Sequence, residues 1–265
     1  MNFLATIINQ KRRRVAAAKL SVLPEGLQLT ARKARELAVP HAFTAALKDE
    51  SKINIIAEFK RKSPSKGEIR INADPSAIAR EYQAGGASAV SVLTEEDYFA
   101  GSLVDLRAVR QAISVPVLRK DFIIEEYQVY ESAAVGADAL LLIVAALDDE
   151  TLIGLRRITE DELGMDALVE VHTREEMVRA VDSGAKLIGV NNRNLSTFEV
   201  SLETSAQLAW LGDNALLVSE SGIASSADIG RLYELGYRGF LIGETLMRAD
   251  DPGETLKQFS LAFKL

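Results

Sequence analysis

The sequence predicts an α/β fold, a closed (β/α)8 TIM barrel preceded by a helical extension at the N-terminus. From about residue 53 onward, apolar β-rich runs alternate with amphipathic stretches, and the runs recur about every 25 residues. A Gly-Ala or Gly-Tyr pair stands just before several runs, where a helix would end and a strand begin. Parallel strands joined by helices produce this alternation, and eight such units in roughly 250 residues favour a closed barrel.

The extension is predicted over residues 1–50 and the barrel over residues 51–265, the two forming one folding unit. Apolar residues of the first segment recur at helical spacing, and Pro24 separates this helix from a second one over about residues 27–38. We expect the basic stretch 11–14 either to contribute to an anion site or to be solvated. An arginine-rich amphipathic N-terminus is also typical of transit peptides, but no small-residue cleavage pattern follows, which favours a packed extension.

Eight apolar runs are predicted to form the barrel strands. They span residues 53–59, 87–94, 115–120, 139–144, 167–171, 187–191, 216–219 and 239–242. Helix-start signals lie between them, at Asp74 before Pro75, Asp148, Thr173 and Ser225. An open doubly wound sheet is the structural rival. That fold normally carries a G-x-G-x-x-G fingerprint after its first strand, and the loop 62–67 contains none.

Composition excludes several chemistries. The 265 residues include no cysteine and two histidines, His41 and His172, so a cysteine nucleophile, a cysteine zinc site and a multi-histidine centre are excluded. Acid–base chemistry falls to Lys, Glu and Asp, and we expect neither a metal nor an organic cofactor. The formal net charge of −7 argues against a nucleic-acid partner, and no apolar run approaches the roughly 20 residues of a membrane span. We expect a cytoplasmic protein, a monomer or weak homo-oligomer, that acts on a small molecule.

The stretch 55–67 predicts the centre of the functional site. Its apolar beginning reads as a buried strand, and its end is a loop with several cations, serines, a proline and a glycine. Alternation along the strand places Ile56, Glu58 and Lys60 on one face. A Glu–Lys pair at the surface of a sheet edge is the alternative, but the flanking residues are too apolar for an exposed edge.

Further strand ends carry polar residues of the same parity. Lys120, Glu170 and Glu220 each follow an inward-facing apolar residue by two positions, and Asn191 and Arg193 lie at the end of the sixth strand. The C-terminal ends of barrel strands face one common mouth, so these side chains are expected to meet there. Carboxylates and lysines that converge at one mouth predict a functional cluster rather than solvated strand tips.

The last two strands predict a phosphate site. Ser221 and Gly222 follow the seventh strand, and Ile242, Gly243 and Glu244 end the eighth and begin a short helix. Backbone N–H groups at such positions bind phosphate in many barrels. The carboxylate of Glu244 would then have to point away from the phosphate.

Three other features carry less specific expectations. His172 shares the parity of Glu170, so it either faces the mouth or caps the next helix. The acidic run 95–97 is expected to be a solvated loop. Asp121 has the wrong parity for the barrel interior and is expected to make hydrogen bonds in a loop.

Several motifs, taken in order, resemble one family. The longest is Ile-Ala-Glu-Phe-Lys-Arg-Lys-Ser-Pro-Ser at residues 56–65. Others are Leu-Arg-Lys-Asp-Phe at 118–122, Leu-Val-Glu-Val at 168–171, Gly-Val-Asn-Asn-Arg-Asn-Leu at 189–195 and Ser-Glu-Ser-Gly at 219–222. From about residue 50 to its end the chain resembles the indole-3-glycerol phosphate synthase family, and the helical segment resembles that family's N-terminal extension.

The resemblance implies a reaction and a set of site residues. The substrate would be 1-(2-carboxyphenylamino)-1-deoxyribulose 5-phosphate, and the products indole-3-glycerol phosphate, carbon dioxide and water, a step of tryptophan biosynthesis. The implied catalytic residues are Glu58, Lys60, Lys120, Glu170, Asn191 and Glu220. The implied substrate-binding residues are Ser63, Phe99, Phe122, Leu141, Arg193, Ser221, Gly222, Ile242, Gly243 and Glu244.

The resemblance also implies roles. Lys120 would be the general acid at the ketose oxygen and Glu170 the general base in dehydration, although the division of the acid role between Lys60 and Lys120 stays open. Glu58 and Glu220 would stabilise a cationic ring-closed intermediate, and Asn191 would hold substrate hydroxyls. Lys60 and Arg193 would bind anionic ends of the substrate. The apolar residues Phe99, Phe122 and Leu141 would pack against its aromatic ring. Two alternatives remain, another phosphate-binding barrel such as phosphoribosylanthranilate isomerase and a non-catalytic sugar-phosphate-binding barrel.

Overall fold

Eight parallel strands close into a barrel over the residues that this computed structural model describes, 3–195, 197–212 and 214–261. The outermost residues of the predicted extension and barrel, 1–2 and 262–265, lie outside the described residues. The strands are β1 (Asn54–Phe59), β2 (Lys62–Ser63), β3 (Gly67–Glu68), β4 (Ala89–Leu93), β5 (Val117–Lys120), β6 (Ala139–Ile143), β7 (Asp166–Val171), β8 (Leu187–Asn191), β9 (Leu216–Glu220) and β10 (Gly239–Ile242). The (β/α)8 barrel predicted from the sequence is confirmed.

Closure of the sheet occurs at β1, which pairs with strands on both sides. Ile56 is the partner of Ala89 in β4 and of Leu241 in β10, so the sheet is continuous around the barrel and the open doubly wound alternative is wrong. Each predicted barrel strand begins and ends within two residues of the observed one. The short antiparallel pair β2–β3, in which Lys62 is the partner of Glu68, was not predicted.

Helices alternate with the barrel strands as the sequence indicates. They are α1 (Phe3–Ser21), α2 (Pro24–Arg35), α3 (Ala42–Leu47), α4 (Pro75–Ala84), α5 (Leu103–Ala112), α6 (Glu126–Ala134), α7 (Asp149–Arg157), α8 (Arg174–Asp182), α9 (Glu203–Leu208), α10 (Ser226–Glu234), α11 (Glu244–Arg248) and α12 (Pro252–Leu261). The predicted start signals are confirmed, because Asp74, Asp148, Thr173 and Ser225 each accept a hydrogen bond from a first-turn N–H. Helix α2 begins three residues earlier than expected, with Pro24 at its first position.

Glycines turn the chain from four of the helices into the next strand. Gly86, Gly136, Gly184 and Gly236 follow α4, α6, α8 and α10 with φ of 95°, 90°, 80° and 98°. A left-handed residue after a helix allows the chain to reverse, and only glycine adopts this conformation without a steric cost. These are the Gly-Ala and Gly-Tyr positions from which the barrel was predicted.

Inside the barrel, apolar side chains fill the space between the mouth and the opposite end. The strands contribute Ile56, Ala89, Leu118, Ala139, Leu141, Ile143, Leu168, Leu187, Val218 and Leu241, and these pack with Phe43 and Leu47 of α3. Both α3 side chains are fully buried, so α3 closes the N-terminal end of the barrel. Among the described residues, none of the helices combines the length and apolar character that crossing a membrane requires.

Leu47→Ala tests whether α3 is part of the barrel core. Removing a fully buried side chain from the barrel interior is expected to lower the free energy of unfolding by about 2–5 kcal/mol. Leu37→Ala is the control, because Leu37 is 96% exposed and its loss should change stability by less than about 0.5 kcal/mol. Urea unfolding followed by far-UV circular dichroism gives both values. An unchanged midpoint in Leu47→Ala would contradict the role of α3 as part of the barrel core.

Candidate active site

A cavity of about 710 Å³ opens at the C-terminal mouth of the barrel. It has the size of a pocket for a drug-sized molecule. Every residue assigned to the site from the sequence lines this cavity, namely Glu58, Lys60, Ser63, Phe99, Lys120, Phe122, Leu141, Glu170, Asn191, Arg193, Glu220, Ser221, Gly222, Ile242, Gly243 and Glu244. The parity of each strand therefore places its terminal polar residue at one common mouth.

Lys120 lies at the centre of the charged residues. Its Nζ is 3.1 Å from Glu170 Oε2 and 3.3 Å from Glu220 Oε2. At the end of β1, which β4 separates from β5, Lys60 Nζ is 2.5 Å from Glu58 Oε1. The side chains of Glu58, Glu170 and Glu220 are almost completely buried. We refer to these five residues as the Lys120 cluster.

The pKa values of the two carboxyl groups that contact Lys120 are shifted in opposite directions. Burial alone would raise the pKa of Glu170, but the Lys120 ammonium and His172 outweigh it and hold the pKa well below its usual value. Burial raises the pKa of Glu220, and the neighbouring Glu170 and Glu58 carboxylates reinforce the rise against the opposing effect of Lys120. Burial would lower the pKa of Lys120, but the surrounding carboxylates raise it. The cluster thus places Glu170, a carboxylate with a lowered pKa, beside Glu220, a carboxyl group with a raised pKa.

Glu220 is poised to contact a ligand. Both of its carboxylate oxygens are buried and, within the described residues, neither makes a hydrogen bond; Oε2 is ion-paired with Lys120 at 3.3 Å, and Oε1 is left without a partner. Buried acceptors are normally satisfied, so an unpaired one at the wall of a cavity indicates a group that a ligand completes. Room for this carboxylate comes from Gly189 of β8, since a Cβ there would overlap Glu220 Oε1. Gly243 is packed in the same way against Glu58 Oε1, so substitution of Gly243 would disturb Glu58 together with any phosphate.

The end of the cavity near β9 and β10 has the predicted features of a phosphate site. Ser221 and Gly222 have φ of 65° and 84°, so the chain turns sharply at the end of β9. A left-handed serine is uncommon, and such strain tends to occur at functional sites. The conflict over Glu244 is resolved, because its Oε1 accepts a hydrogen bond of 3.1 Å from Arg248 Nε. Its carboxylate is therefore engaged along α11.

The opposite wall of the cavity is apolar. The rings of Phe99 and Phe122 lie 6.4 Å apart at an interplanar angle of 42°, and Leu141 lines the same cavity. Phe3 of α1 adds a further ring and packs edge-on against Phe198 at 5.4 Å. Aromatic rings bind a planar ligand through offset and edge contacts. The cavity thus joins an apolar wall, a charged centre and a candidate phosphate end.

Helix α1 covers the mouth and is fixed there by ion pairs. Lys11 is buried, with its Nζ 2.8 Å from Asp121 and 3.0 Å from Glu96, and Arg14 bonds Asp97 at 2.6 Å. Lys11 is therefore neither part of an anion site nor solvated, whereas Arg12 and Arg13 of the same basic stretch are exposed, as expected for a solvated face. Asp121 makes the expected hydrogen bonds in its loop, accepting from Thr94 Oγ1 and the Phe122 N–H, but it also lines the cavity. Arg119 pairs with it as well.

The acidic run 95–97 is solvated only in part, because Glu96 and Asp97 are exposed whereas Glu95 is buried. Glu95 is 1% exposed and accepts hydrogen bonds from the backbone N–H groups of Asp97, Tyr98 and Phe99. It therefore organises the loop that presents Phe99 to the cavity. A run of charges is usually a hydrated surface, and the sequence carries no signal that a helix 80 residues earlier would cover it.

The structure contradicts both expectations for His172, because the residue does not line the cavity and the N-cap of α8 is Thr173. Its backbone N–H donates to Glu176 Oε2 at 2.7 Å, and its Nε2 lies 3.3 Å from Glu170 Oε1.

The sequence reasoning missed several residues of the cavity wall, among them Phe3, Leu4, Ile7, Phe198 and Arg248. The apolar spacing of α1 predicted a helix with one buried face, but nothing in that spacing indicates what the face packs against.

Comparison with known proteins assigns the chain to a family. A family model described as indole-3-glycerol phosphate synthase matches residues 4–259. A relative of that name from Carboxydothermus hydrogenoformans is 46% identical over 260 residues, which cover 96% of this chain and 98% of the relative. Another from Bacteroides thetaiotaomicron is 46% identical over 264 residues, covering 99% of both.

Solved structures show the same fold at low sequence identity. Thiamine phosphate pyrophosphorylase from Pyrococcus furiosus superposes with a TM-score of 0.58 at 18% identity, covering 78% of this chain and 93% of that one. KGPDC from Streptococcus mutans gives a TM-score of 0.61 at 14% identity, covering 78% and 95%. At these identities the likeness concerns the barrel alone.

Gly189→Ala tests the packing that places Glu220. The added Cβ would overlap the end of the Glu220 side chain and displace its carboxylate, so we expect the fold to persist and kcat to fall about 10²-fold. Gly154→Ala is the control, since Gly154 lies in α7 with open space around its Cβ position. Steady-state kinetics and circular dichroism are compared for both variants. Native kcat in Gly189→Ala would show that the position of Glu220 does not matter.

Proposed function

The chain belongs to the indole-3-glycerol phosphate synthase family, and we propose that the Lys120 cluster carries out the ring closure, decarboxylation and dehydration. As a member of this family it converts 1-(2-carboxyphenylamino)-1-deoxyribulose 5-phosphate to indole-3-glycerol phosphate, carbon dioxide and water in tryptophan biosynthesis. Because a carbon–carbon bond to a carboxylate breaks, we class the enzyme as a carboxy-lyase. The observation that carries the proposed roles is Lys120 held between two buried carboxylates.

Ring closure requires a proton at the ketose oxygen as the aromatic carbon attacks the carbonyl carbon. Lys120 fits this role because its ammonium group lines the cavity at the centre of the cluster, where the surrounding carboxylates raise its pKa and keep it protonated. Its proton goes to the carbonyl oxygen, which becomes a hydroxyl, and Lys120 becomes neutral. Lys60 is the second candidate for the acid. Within the Lys120 cluster its Nζ contacts one carboxylate, Glu58, whereas Lys120 contacts two.

The ring-closed intermediate carries positive charge conjugated with the anthranilate nitrogen. Glu58 and Glu220 face the cavity as buried carboxylates and would stabilise this charge more than the neutral ground state. The cationic ring then accepts the electron pair of the breaking carbon–carboxylate bond, and carbon dioxide leaves. Fixed carboxylates act strongly here because the site is already ordered and partly shielded from water.

Dehydration completes the aromatic ring. A carbon-bound proton passes to a base, and the hydroxyl formed in the first step leaves as water with a proton from Lys60, the second ammonium group that lines the cavity. Lys60 then takes up a proton from solvent, which balances the proton consumed overall. Glu170 is the proposed base because its low pKa keeps it ionised, and it lies beside Lys120, to which it can return the proton. Asn191 lines the same cavity and would hold substrate hydroxyls, with its Oδ1 fixed by the Arg193 backbone N–H at 3.0 Å.

The ends of the cavity suggest how the substrate is oriented. The aromatic ring would lie against Phe99, Phe122 and Leu141, and the phosphate would lie near the backbone of Gly222 and Gly243. Lys60 and Arg193 would meet anionic groups of the substrate. Arg193 is oriented for this by hydrogen bonds to Ser65 Oγ and the Phe198 carbonyl, each 3.2 Å.

The two alternative functions are disfavoured. A cysteine–aspartate design of the isomerase type cannot be built from a chain without cysteine. A non-catalytic binding barrel has no need of buried carboxylates with opposite pKa shifts around one lysine. We further propose a single folding unit of extension and barrel, and a cytoplasmic monomer or weak homo-oligomer.

Single-turnover kinetics test the acid and base roles. Lys120→Met is expected to slow carbon dioxide release and indole formation together by about 10²–10⁴-fold, because the first proton transfer is lost. Glu170→Gln is expected to release carbon dioxide faster than indole appears, because only dehydration lacks its base. Lys33→Met, at an exposed position of α2, is the matched control and should behave as the native enzyme. Equal slowing of both products in Glu170→Gln would move the base role to Glu58 or Glu220.

Chelation tests the absence of a metal from the mechanism. Among the described residues, the acidic group with metal-ligand spacing is Glu95, Glu96 and Asp97, and Lys11, Arg14 and loop N–H groups already occupy these carboxylates. Prolonged dialysis against a strong chelator should therefore leave kcat unchanged. Loss of turnover that Mg²⁺ or Zn²⁺ restores would contradict this prediction.

A further inference from the structure

The proposed mechanism creates an electrostatic difficulty at Glu170. Lys120 is the ammonium group that contacts this carboxylate at 3.1 Å, and Lys120 becomes neutral when it protonates the ketose oxygen. Glu170 then lies buried beside Glu220 without that counter-ion, and both burial and a neighbouring carboxylate favour its protonation. A protonated Glu170 cannot accept the proton that dehydration must remove. Some other cation has to keep it ionised during this interval.

His172 is placed to supply that charge. Its Nε2 lies 3.3 Å from Glu170 Oε1, whereas Lys120 contacts the other oxygen, Oε2. On the far side of the ring, Nδ1 lies 3.1 Å from Glu176 Oε2. The imidazole is therefore enclosed between two carboxylates, one from β7 and one from α8. Nε2 is buried and makes no aligned hydrogen bond within the described residues, so its contact with Glu170 is an ion pair.

The charge on His172 is independent of the chemical steps. His172 is absent from the residues that line the cavity, so it lies behind Glu170 as seen from the substrate. Burial would lower the pKa of His172, but Glu170 and Glu176 outweigh burial and raise it to about 10. The ring consequently stays cationic at neutral pH whether or not Lys120 holds its proton.

A purely structural role does not account for this arrangement. Thr173, not His172, is the N-cap of α8, and its Oγ1 accepts the hydrogen bond from the Glu176 N–H at 3.2 Å. The His172 backbone N–H already binds Glu176 Oε2 without help from the ring. A side chain of similar size with no charge would satisfy the helix start equally well.

We propose that His172, anchored by Glu176, is a positioning residue that keeps the Glu170 carboxylate ionised and aimed while Lys120 is neutral. This inference rests on the proposed base role of Glu170. The charged groups that bear on it are Glu170 and Glu176 around the imidazole, and Lys120 and Glu220 around Glu170 from β5 and β9. The imidazole transfers no proton to or from the substrate.

His172→Gln tests the inference, because glutamine retains a hydrogen-bond donor of similar reach but carries no charge. Without the cation the pKa of Glu170 rises, so the base form is lost at a higher pH. We expect the acid limb of the single-turnover rate of indole formation to move up by about 1 pH unit or more, with about a tenfold loss of rate on that limb. Carbon dioxide release, which precedes the base step, should keep its native rate.

Two further variants keep the test independent of folding. Glu176→Gln retains the imidazole and its charge at acid pH but loosens its anchor, so a smaller shift in the same direction is expected. Glu175→Gln is the matched control, since Glu175 is exposed at the start of the same helix and should leave the profile unchanged. Thermal unfolding of each variant verifies that the fold is retained.

The double variant Glu170→Gln/His172→Gln separates this inference from the proposed function. If His172 acts through Glu170, the double variant should be no slower than Glu170→Gln alone. Folded His172→Gln and Glu176→Gln with native acid limbs would overturn the inference, as would a further rate loss in the double variant. Failure of the base role itself would appear in Glu170→Gln alone, as simultaneous release of both products.

Discussion

The structure of the site depends on Lys120 being shared between two buried carboxylates. An ion pair out of water is costly unless its geometry is good and its partners are fixed, and removing one partner typically costs about 3–5 kcal/mol. Here Glu170 holds Lys120 at 3.1 Å and Glu220 at 3.3 Å, and the pKa values of the two carboxylates are shifted in opposite directions. This asymmetry keeps Glu170 ionised as the base and leaves Glu220 as a carboxyl group that can interact with a cationic intermediate. The barrel register keeps the three groups in place, since each ends a different strand.

The helical extension completes the barrel at both ends. Helix α3 inserts Phe43 and Leu47 into the N-terminal end of the barrel, where they pack with the apolar side chains of the barrel interior. Helix α1 covers the mouth and is fixed there through Lys11 and Asp121. Asp121 is the residue directly after Lys120, so the ion pair that fixes α1 also fixes the loop that carries the proposed acid. The same extension therefore packs into the barrel interior at one end and fixes the loop of the proposed acid at the other.

Sequence reasoning located the strand-end residues because their signal is local. Alternation along a strand specifies which side chain faces inward, and closure of the barrel brings those ends together, as for Glu58 and Glu220. Packing across the chain has no such signal. Glu95 was expected to be solvated with the rest of its acidic run, yet it is buried beneath a loop. Gly189 was noted only as part of a motif, although its small size leaves the space that Glu220 occupies. Contacts of this kind depend on residues that are distant in sequence.

The ionisation of Glu220 tests the central claim most directly. In protein labelled with ¹³C at the glutamate carboxyl carbons, a pH titration by NMR should contain one carboxyl that titrates well above the usual range for glutamate, which centres at about 4.3. That signal should disappear in Glu220→Gln and move toward the ordinary range in Glu170→Gln, where Lys120 no longer serves two carboxylates. If every glutamate of the folded native enzyme titrates in the ordinary range or below, Lys120 is not divided in this way and the account is wrong.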